Sequence, residues 1–333
     1  MKKILIIGGT QFVGRNLIEQ LIQLGNYDLT LFNRGITNPD LFPEIKKIKG
    51  DRKIKEDVLQ FCKMDWDCII DISGYWPDAL EQQLEMQEGK VGRYIYISTS
   101  SHYQFDLEHP HFIKEDEPIV TCTPEQKVSE EKGFYNQQKA ECERVLERQR
   151  DLDYIILRPG LIIGKHDHTD RLYYWFYKTY HQKEILVGEN AKHLLSYSAV
   201  LDLAKMMIQA IEIKNNFKVY NANSFTVSLN DFIQLAEKKL NKRVELISAP
   251  AEFLYEHEVK QWSDLPLWWN GNILTIDNSK IKKEFNFQCS TIEEVTNELI
   301  EYYTQIKKWE VPNLPCLSNQ KGKELIQKLK QAS

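Results

Sequence analysis

The chain has 333 residues, 42% of them hydrophobic and 27% charged, and its formal net charge is −5. This length exceeds what one hydrophobic core ordinarily serves, so it predicts two domains or one large, elaborated domain. The slight acidic excess argues against a dedicated nucleic-acid-binding protein, and no apolar run approaches the roughly 18 residues that a membrane span needs.

Short apolar runs alternate with helical patterns through the first half of the chain. Strands are predicted over residues 4–7, 29–32, 45–48, 68–72, 94–97 and 154–157, and a further strand over 219–222 returns to the same sheet. Helical patterns begin at Phe12 and cover 58–62 and 137–146. Short apolar strands separated by helices predict an α/β fold, a Rossmann-like doubly wound parallel sheet with helices on both faces.

The character of the sequence changes after Gly164. Aromatic residues cluster over 173–180, and helices predicted over 229–240, 292–303 and near 321–329 lie among loops. These features predict a smaller mixed α/β substrate domain towards the C-terminus. The predicted boundaries are 1–165 plus about 196–222 for the nucleotide-binding domain, 166–195 and 223–312 for the substrate domain, and 313–333 for a helical tail.

The cysteines bear on the compartment. No CxxC pair occurs among the six of them, which are Cys62, Cys68, Cys122, Cys142, Cys289 and Cys316. This usage is typical of free, mostly buried thiols in a reducing compartment. The apolar run after Lys2-Lys3 is too short for a signal peptide. We therefore expect a cytoplasmic protein.

A glycine turn follows the first predicted strand. Gly8 and Gly9 form the turn, and Gly14 lies six residues after Gly8, inside the predicted helix. Glycines let the backbone approach a pyrophosphate, and a helix N-terminus offers free N–H groups and a partial positive charge. Gln11 takes the place at which a third glycine is expected. Strand, glycine turn and helix together predict a dinucleotide site at the start of the chain.

A second motif indicates acid–base chemistry. Tyr135 and Lys139 are four residues apart, so they lie on the same face of a predicted helix. Tyrosine has an ordinary pKa of about 10, and a nearby ammonium group favours the phenolate. Residues 98–101 supply four hydroxyl groups at the end of the fifth predicted strand, where active sites of parallel sheets open. Tyrosine, lysine and hydroxyl predict a site for proton transfer.

These features resemble the extended short-chain dehydrogenases/reductases, the group of NAD-dependent epimerases and dehydratases. The resemblance covers nearly the whole chain and includes Asp51 after the third strand, Arg158-Pro159 after the sixth, Val200-x-Asp202-Leu203-Ala204 and Asp277-Asn-Ser-Lys280. The GGT-Gln11-Phe-Val-Gly form and the LFNRG stretch resemble a divergent branch. That branch includes chloroplast stem-loop RNA-binding proteins and many bacterial reductase-like proteins.

The resemblance implies a role for each member of the acid–base site. Tyr135 would be the general acid/base at a substrate hydroxyl or carbonyl. Thr99, four residues before Tyr103, would hydrogen-bond the same oxygen. Lys139 would hold the nicotinamide ribose and lower the pKa of Tyr135. The nicotinamide would exchange a hydride with the substrate carbon.

The resemblance also implies where the cofactor lies. Asp51 would accept a hydrogen bond from the adenine amino group, and residues 72–74 would line the cofactor after the fourth strand. The implied cofactor-binding residues are Gly8, Thr10, Gln11, Phe12, Val13, Gly14, Asn33, Arg34, Asp51, Arg52, Ile72, Ser73, Gly74, Tyr135, Lys139 and Pro159.

The end of the second strand bears on the choice of cofactor. Proteins that bind NAD place a carboxylate there against the ribose hydroxyls, whereas this chain has Asn33 followed by Arg34. The loss of a negative charge and the gain of a guanidinium group suit a 2′-phosphate. The sequence therefore predicts NADP, with NAD as the alternative.

Two departures from the resemblance weaken a nucleotide-sugar substrate. Leu161 stands where epimerases usually have Asn, and Leu195 where they have an Arg that pairs with the diphosphate. Either the substrate lacks a nucleotide diphosphate, or Arg171 or Lys192 binds it; both interpretations stay open. The candidate substrate residues are Tyr75, Ser101, Leu161, His166 and Arg171.

Two other features receive structural interpretations. The segment 166–170 (HDHTD) has no helical spacing and no third cluster of ligands, so we interpret it as a polar loop and predict no metal. We interpret Trp262, Trp268 and Trp269 as core or interface packing rather than as a substrate wall.

The combined prediction is an NAD(P)-dependent oxidoreductase or epimerase that acts on a small molecule, such as a sugar or sugar nucleotide, and forms a homodimer. Reduction, epimerisation and dehydration share this set of residues. Dehydratases add an acidic pair next to the Ser/Thr, where this chain has Ser100 and Ser101, so dehydration is the least favoured. The alternative is an RNA-binding protein on the same scaffold, which the net charge of −5 disfavours.

Overall fold

The computed structural model of the protein describes residues 1–104, 111–214, 218–269, 274–306, 309 and 316–332. The strands are β1 (Lys2–Ile7), β2 (Tyr27–Asn33), β3 (Lys46–Lys49), β4 (Cys68–Asp71), β5 (Tyr94–Ile97), β6 (Tyr154–Arg158), β7 (Leu161–Ile163), β8 (Glu184–Gly188), β9 (Leu194–Ala199), β10 (Val219–Asn221), β11 (Phe225–Ser228) and β12 (Glu245–Ala249). The helices are α1 (Phe12–Leu24), α2 (Lys55–Cys62), α3 (Pro77–Glu85), α4 (Pro124–Val128), α5 (Tyr135–Glu147), α6 (Arg171–His181), α7 (Val200–Glu212), α8 (Leu229–Leu240), α9 (Ala251–Glu256), α10 (Ser279–Glu284), α11 (Ile292–Gln305) and α12 (Asn319–Ala332).

Seven parallel strands form the large sheet, in the order β10-β6-β5-β4-β1-β2-β3. The chain runs outwards from β1 to β3 and then crosses to β4 on the other side of β1. Ligands of such sheets bind at this reversal, outside the carboxyl ends of the strands. The predicted Rossmann-like sheet is confirmed, including the return of β10 to the edge beside β6.

Alternation along β1 explains why helices cover both faces of this sheet. Ile4 and Ile6 pack in one hydrophobic cluster with residues of α1 and α7. Leu5 and Ile7 pack in another cluster with residues of α2, α3 and α5. Successive side chains of a strand point to opposite faces, so an unbroken apolar run indicates a strand that is buried on both sides.

The second half of the chain adds two small sheets, one with the order β11-β9-β7 and one that pairs β12 with β8. The predicted aromatic cluster forms helix α6, whose residues from Leu172 to Thr179 are buried. They share one hydrophobic cluster with residues of α8, α11 and α12. Of the segment 196–222, the start belongs to β9 in a small sheet, whereas β10 belongs to the large one.

The domain boundaries themselves stay a prediction, and the one placed between 312 and 313 falls on residues outside the described ranges. Among the described residues, none of the helices combines the length and the apolar character that a membrane crossing needs. All six cysteines have free thiols.

Candidate active site

A cavity of about 1300 Å³ opens at the carboxyl ends of the central strands. Residues that follow β1, β2, β4, β5 and β6 line it, so it lies where the strand order reverses. The predicted cofactor residues in this lining are Gly8, Thr10, Gln11, Phe12, Val13, Asn33, Arg34, Asp51, Arg52, Ile72, Ser73, Tyr135, Lys139 and Pro159. The lining does not include Gly14 and Gly74, which support it through the contacts given below.

The glycine turn has the geometry that a dinucleotide site needs. Gly8 and Gly9 have φ angles of 109° and 107°, a region that side chains other than glycine rarely adopt. A Cβ on Gly14 would lie 2.5 Å from the Cα of Gly9, so only glycine lets α1 approach the turn this closely. The side chain of Gln11, the N-cap, makes no capping bond, and the first turn of α1 has no acidic residue. Free N–H groups therefore face the cavity and fit a pyrophosphate.

Asn33 ends β2, and Arg34 follows it at the rim of the cavity. The Asn33 Nδ2 group donates to the carbonyl oxygen of Gly8 at 3.2 Å, and its Oδ1 accepts from the backbone N–H of Gly35 at 2.9 Å. These bonds tie the loop after β2 to the glycine turn. Arg34 is exposed and lines the cavity, and its guanidinium makes no ion pair within the described ranges. A free guanidinium at this place fits a 2′-phosphate.

A buried ion pair supports the segment after β3. The Arg52 guanidinium donates to both oxygens of Asp71 at 2.9 Å, and the Asp71 carboxylate also accepts from Tyr94 at 2.9 Å. The neighbouring carboxylate holds the pKa of Arg52 well above its usual range, although burial opposes this. The sequence analysis did not find this ion pair. The one feature that could have indicated it is Asp71, a carboxylate inside the apolar run 68–72. Asp51 lies beside it, with its Oδ1 accepting from the N–H of Lys53 at 3.0 Å.

A chain of hydroxyl groups lies at the end of β5. The hydroxyls of Thr99 and Ser101 are 2.8 Å apart, and Ser101 donates to the Oδ1 of Asn136 at 2.7 Å. Tyr135 begins α5 and lines the same cavity as Thr99, whose side chain acts to lower the pKa of Tyr135. The structure therefore brings the predicted pair of Thr99 and Tyr135 together.

Lys139 is fixed one turn further along α5, where it is buried. Its Nζ donates to the carbonyl oxygens of Gly74 at 2.8 Å and Ile97 at 2.6 Å. It also lies 4.2 Å from the ring centre of Tyr96. Burial lowers the pKa of Lys139 to about 8. A Cβ on Gly74 would lie 2.5 Å from the Tyr96 ring, so a glycine is needed where this carbonyl meets the ammonium group.

One electrostatic expectation differs from the structure. The sequence predicts that Lys139 lowers the pKa of Tyr135, whereas desolvation, and then the neighbouring Tyr75, raise that pKa above its ordinary value. The Thr99 side chain and the charge of Arg171 lower it in part. The ammonium group of Lys139 is already engaged by two carbonyl oxygens, and the phenolate is poorly solvated in the cavity.

Four of the five predicted substrate residues line the cavity, and one does not. Tyr75, Ser101, Leu161 and Arg171 line the cavity, as do His168 and Thr169 of the polar loop. The lining does not include His166, whose Nδ1 lies 3.1 Å from the hydroxyl of Tyr302. No group of three or more His, Cys, Asp or Glu residues within the described ranges is arranged to hold a metal ion.

The three tryptophans differ in whether they reach the cavity. Trp268 is 3% exposed and packs in the core, as interpreted. Trp262 and Trp269 pack against the same hydrophobic cluster, as interpreted, and they also line the cavity, with their ring centres 5.8 Å apart. Leu274 lines the cavity as well. The sequence analysis considered a substrate wall at these tryptophans but favoured packing.

Known proteins with the same architecture include sugar-nucleotide enzymes. The dTDP-glucose 4,6-dehydratase of Bacillus anthracis, solved with NAD, is 14% identical, with a TM-score of 0.71 over 93% of this chain and 98% of that one. The UDP-glucuronic acid 4-epimerase of Bacillus cereus, solved with UDP-glucuronic acid and NAD, is 17% identical, with a TM-score of 0.69 over 91% and 99% of the two chains. At this identity the likeness shows the fold.

Sequence comparison gives two further matches. Chloroplast stem-loop binding protein of 41 kDa b from Arabidopsis thaliana is 28% identical over 224 residues, which are 63% of this chain and 55% of that protein. The chain thus spans about half the length of this curated relative. The sequence model of the NAD dependent epimerase/dehydratase family matches residues 4–222, more than half of the chain. The fold, the glycine turn and this match lead to one conclusion: the chain belongs to the NAD-dependent epimerase/dehydratase family.

Proposed function

We propose that the protein is an NAD(P)-dependent oxidoreductase or epimerase that acts at a hydroxyl or carbonyl carbon of a small molecule. One observation carries the proposal: a single cavity holds the glycine turn together with Thr99, Tyr135 and Lys139. The glycine turn alone would fit any dinucleotide, and the acid–base group alone would fit many reactions. Their meeting in one cavity favours redox chemistry at an alcohol or ketone.

The chain offers a complete set of groups for the cofactor. The first turn of α1 would bind the pyrophosphate through backbone N–H groups, and Asp51 and Ser73 line the cavity near the strand ends for the nucleoside parts. When bound, a nicotinamide cofactor supplies hydride transfer to or from carbon. Arg34 supports NADP over NAD, because its free guanidinium suits a phosphate better than a ribose hydroxyl.

Tyr135 would move the proton at the substrate oxygen. The Tyr135 hydroxyl is protonated at neutral pH, so it can donate the proton to a carbonyl oxygen as the carbon is reduced. Thr99 would donate to the same oxygen, and the Ser101–Asn136 pair holds the Thr99 hydroxyl in place. Lys139 would bind the ribose beside Tyr135 and place a positive charge near any phenolate that forms.

The substrate is proposed to be a small molecule of sugar type. Solved relatives of this fold carry UDP-glucuronic acid or, in Thermotoga maritima UDP-glucose 4-epimerase, UDP-glucose. Reduction and epimerisation are both compatible with the residues present. Dehydration is less favoured, since Ser100 is buried and Ser101 is bonded to Asn136. The homodimer is also a proposal, which light scattering on the purified protein tests.

A second candidate function rests on the curated relative, whose name describes stem-loop binding. Binding of structured RNA by this chain would be electrostatic and therefore sensitive to salt. A filter-binding assay with a stem-loop RNA at low and high salt separates the two proposals. Salt-sensitive binding at micromolar or tighter affinity would favour RNA binding. Without such binding, the enzyme would be the only one of the two proposals that remains.

The first experiment is a thermal-shift titration with NADP+, NADPH, NAD+ and NADH. A ligand at about 100 times its Kd adds about 2.7 kcal/mol of stability, which raises Tm by several degrees. We expect the largest shift with the NADP pair. A shift of equal size with both pairs would contradict the NADP preference. No shift, with no nucleotide released from the purified protein on denaturation, would contradict the enzyme proposal.

A further inference from the structure

One cationic side chain on the substrate side of the cavity lacks a counter-charge. Arg171 begins α6 and lines the cavity. Its Nε donates to the Oγ1 of Thr169 at 3.0 Å, and an Nη lies 3.4 Å from the carbonyl oxygen of Ile162. Both acceptors are neutral, and no carboxylate pairs with Arg171 in the part of the chain that the structure describes. The guanidinium keeps donors and charge for a ligand.

The polar loop before α6 orients this side chain. The Oδ1 of Asp167 accepts from the backbone N–H of Thr169 at 2.9 Å and from its hydroxyl at 2.7 Å. With its proton directed to Asp167, the Thr169 hydroxyl turns a lone pair to the Nε of Arg171. The segment that the sequence indicates as a polar loop therefore fixes a guanidinium at the cavity.

The other cations of the lining are engaged or lie elsewhere. Arg52 and Lys53 pair with carboxylates, and Lys139 donates to two backbone carbonyls. Arg34 follows β2, on the side of the glycine turn. Among the described residues that line the cavity away from the glycine turn, Arg171 is thus the one arginine or lysine that stays available to bind an anion.

Apolar groups in the cavity lining limit how much charge a ligand can carry. Leu161, Leu274 and the rings of Trp262 and Trp269 line the cavity as apolar or aromatic surface. Leu195 is 1% exposed and buried in the core, so it offers nothing to a phosphate. Lys192, which the sequence left open as a partner for a diphosphate, is exposed and is not part of the lining.

We infer that the substrate carries one anionic group, a carboxylate or a single phosphoryl group, which Arg171 binds within reach of Tyr135. Its apolar or ring face would lie against Trp262 and Trp269. This inference rests on the proposed function and narrows it: the substrate would be a hydroxy or keto acid, or a phosphorylated hydroxy or keto compound, without a nucleotide diphosphate. One guanidinium fork matches one such group with two parallel hydrogen bonds.

The test titrates the full chain with three probes: lactate, inorganic phosphate and UDP. Tryptophan fluorescence is the readout, because Trp262 and Trp269 line the cavity, and ionic strength is held constant. We expect lactate or phosphate to give a saturable change that weakens about 10- to 100-fold in Arg171→Met. The control Lys192→Met should titrate as the wild type does. Preference for lactate would indicate a carboxylate, and preference for phosphate a phosphoryl group.

Three results would overturn the inference. These are no response of the wild type to either small anion, equal affinities in wild type and Arg171→Met, or Arg171-dependent binding of UDP that is tighter than that of both small anions. The thermal shift with nicotinamide nucleotides is measured on the same variants. We expect Arg171→Met to retain the thermal shift with nicotinamide nucleotides. A failure of the anion site can then be distinguished from a failure of the cofactor site.

Discussion

Lys139 keeps an ammonium group inside a buried site, at a cost in stability that depends on pH. Its pKa is lowered to about 8, against about 10.4 for an unfolded chain. Between these values the unfolded chain holds a proton that the folded protein has released, so the free energy of unfolding rises with pH. We expect Lys139→Met to lack this rise, so that its stability relative to the wild type is greatest near neutrality and declines towards about pH 10.

Urea unfolding of both proteins at a series of pH values measures this difference. The comparison with the variant cancels other groups that titrate in the same range, such as the cysteines. A constant difference between the two proteins from neutral to alkaline pH would show that Lys139 is not the group that titrates.

Tyr135 tests the proposed proton transfer at the level of one atom. Tyr135→Phe removes the hydroxyl and keeps the ring, so the fold should be unaffected. General acid catalysis contributes about 100- to 10,000-fold, and we expect kcat/KM for a turned-over carbonyl substrate to fall by that factor. The nucleotide thermal shift should be retained. Steady-state kinetics that show full activity would remove Tyr135 from the mechanism.

At the scale of elements, α1 approaches the glycine turn closely on the cofactor side. In Gly14→Ala the new Cβ would lie 2.5 Å from the Gly9 Cα and 2.9 Å from its N and C atoms, so the helix must move away from β1. We expect a loss of about 1–3 kcal/mol in the free energy of unfolding and weaker binding of nicotinamide nucleotides.

Gly133→Ala is the matched control for that experiment, because a Cβ there would meet no atom within 4 Å. Denaturant unfolding and nucleotide titration of the two variants check the prediction. Equal stability and equal nucleotide affinity in both variants would mean that α1 does not depend on the close approach.

Most strands of the large sheet could be predicted because they contain short apolar runs, and tertiary burial agrees with that local signal. β3 (KKIK) is weaker, since only Ile48 in it is buried. In the small sheets, β8 also has a buried apolar run, Ile185 to Val187, which the sequence analysis did not use, whereas two other strands had no such signal. The burial of β11 and β12 is mixed, so neither strand shows an apolar run or an alternation. Helix α7 carries buried residues such as Leu203, Met206, Met207 and Ala210 at helical spacing, a signal that the sequence analysis did not use.

Among site residues, the glycine turn, Thr99, Tyr135 and Lys139 were predictable because each belongs to a motif with local spacing. The pairing of Arg52 with Asp71 was not, since the two lie far apart in the sequence and no pattern links them. The cluster of Trp262, Trp268 and Trp269 was visible in the sequence, but which of them reach the cavity was not, because loops place side chains through tertiary contacts.

For the whole molecule, a buried polar network joins the large sheet to later segments of the chain. The carboxylate of Glu143 on α5 accepts from Arg158 at the end of β6, with distances from 2.5 to 3.1 Å. Arg158 also donates to Tyr103 at 2.7 Å, and Tyr103 donates to Asn221 of β10 at 2.7 Å. The Asn221 amide in turn donates to the carbonyl oxygen of Asp277 at 3.0 Å.

Glu143→Gln would leave the Arg158 charge buried without a carboxylate. Breaking a buried pair in this way costs about 3–5 kcal/mol, so we expect a large loss of stability by denaturant unfolding. Glu293→Gln is the control, because the pair of Lys238 and Glu293 is exposed and should contribute nothing measurable. Equal stability in both variants would show that the network does not join these segments energetically.

The parallel order of the large sheet has a consequence for how the chain reaches its native state. In the neighbouring strands β1 and β4, Ile7 pairs with Asp71, which lies far along the chain. Strand β10 cannot pair with β6 until residue 219 has been synthesised. No hairpin within this sheet provides a local nucleus, so long loops must close before the ladders form, and such topologies fold slowly. During synthesis β1 emerges from the ribosome before β4 and stays unpaired on one side until β4 follows, which exposes apolar strand edges to aggregation. We therefore expect chaperones to act on the nascent chain at β1, the strand that leads into the glycine turn.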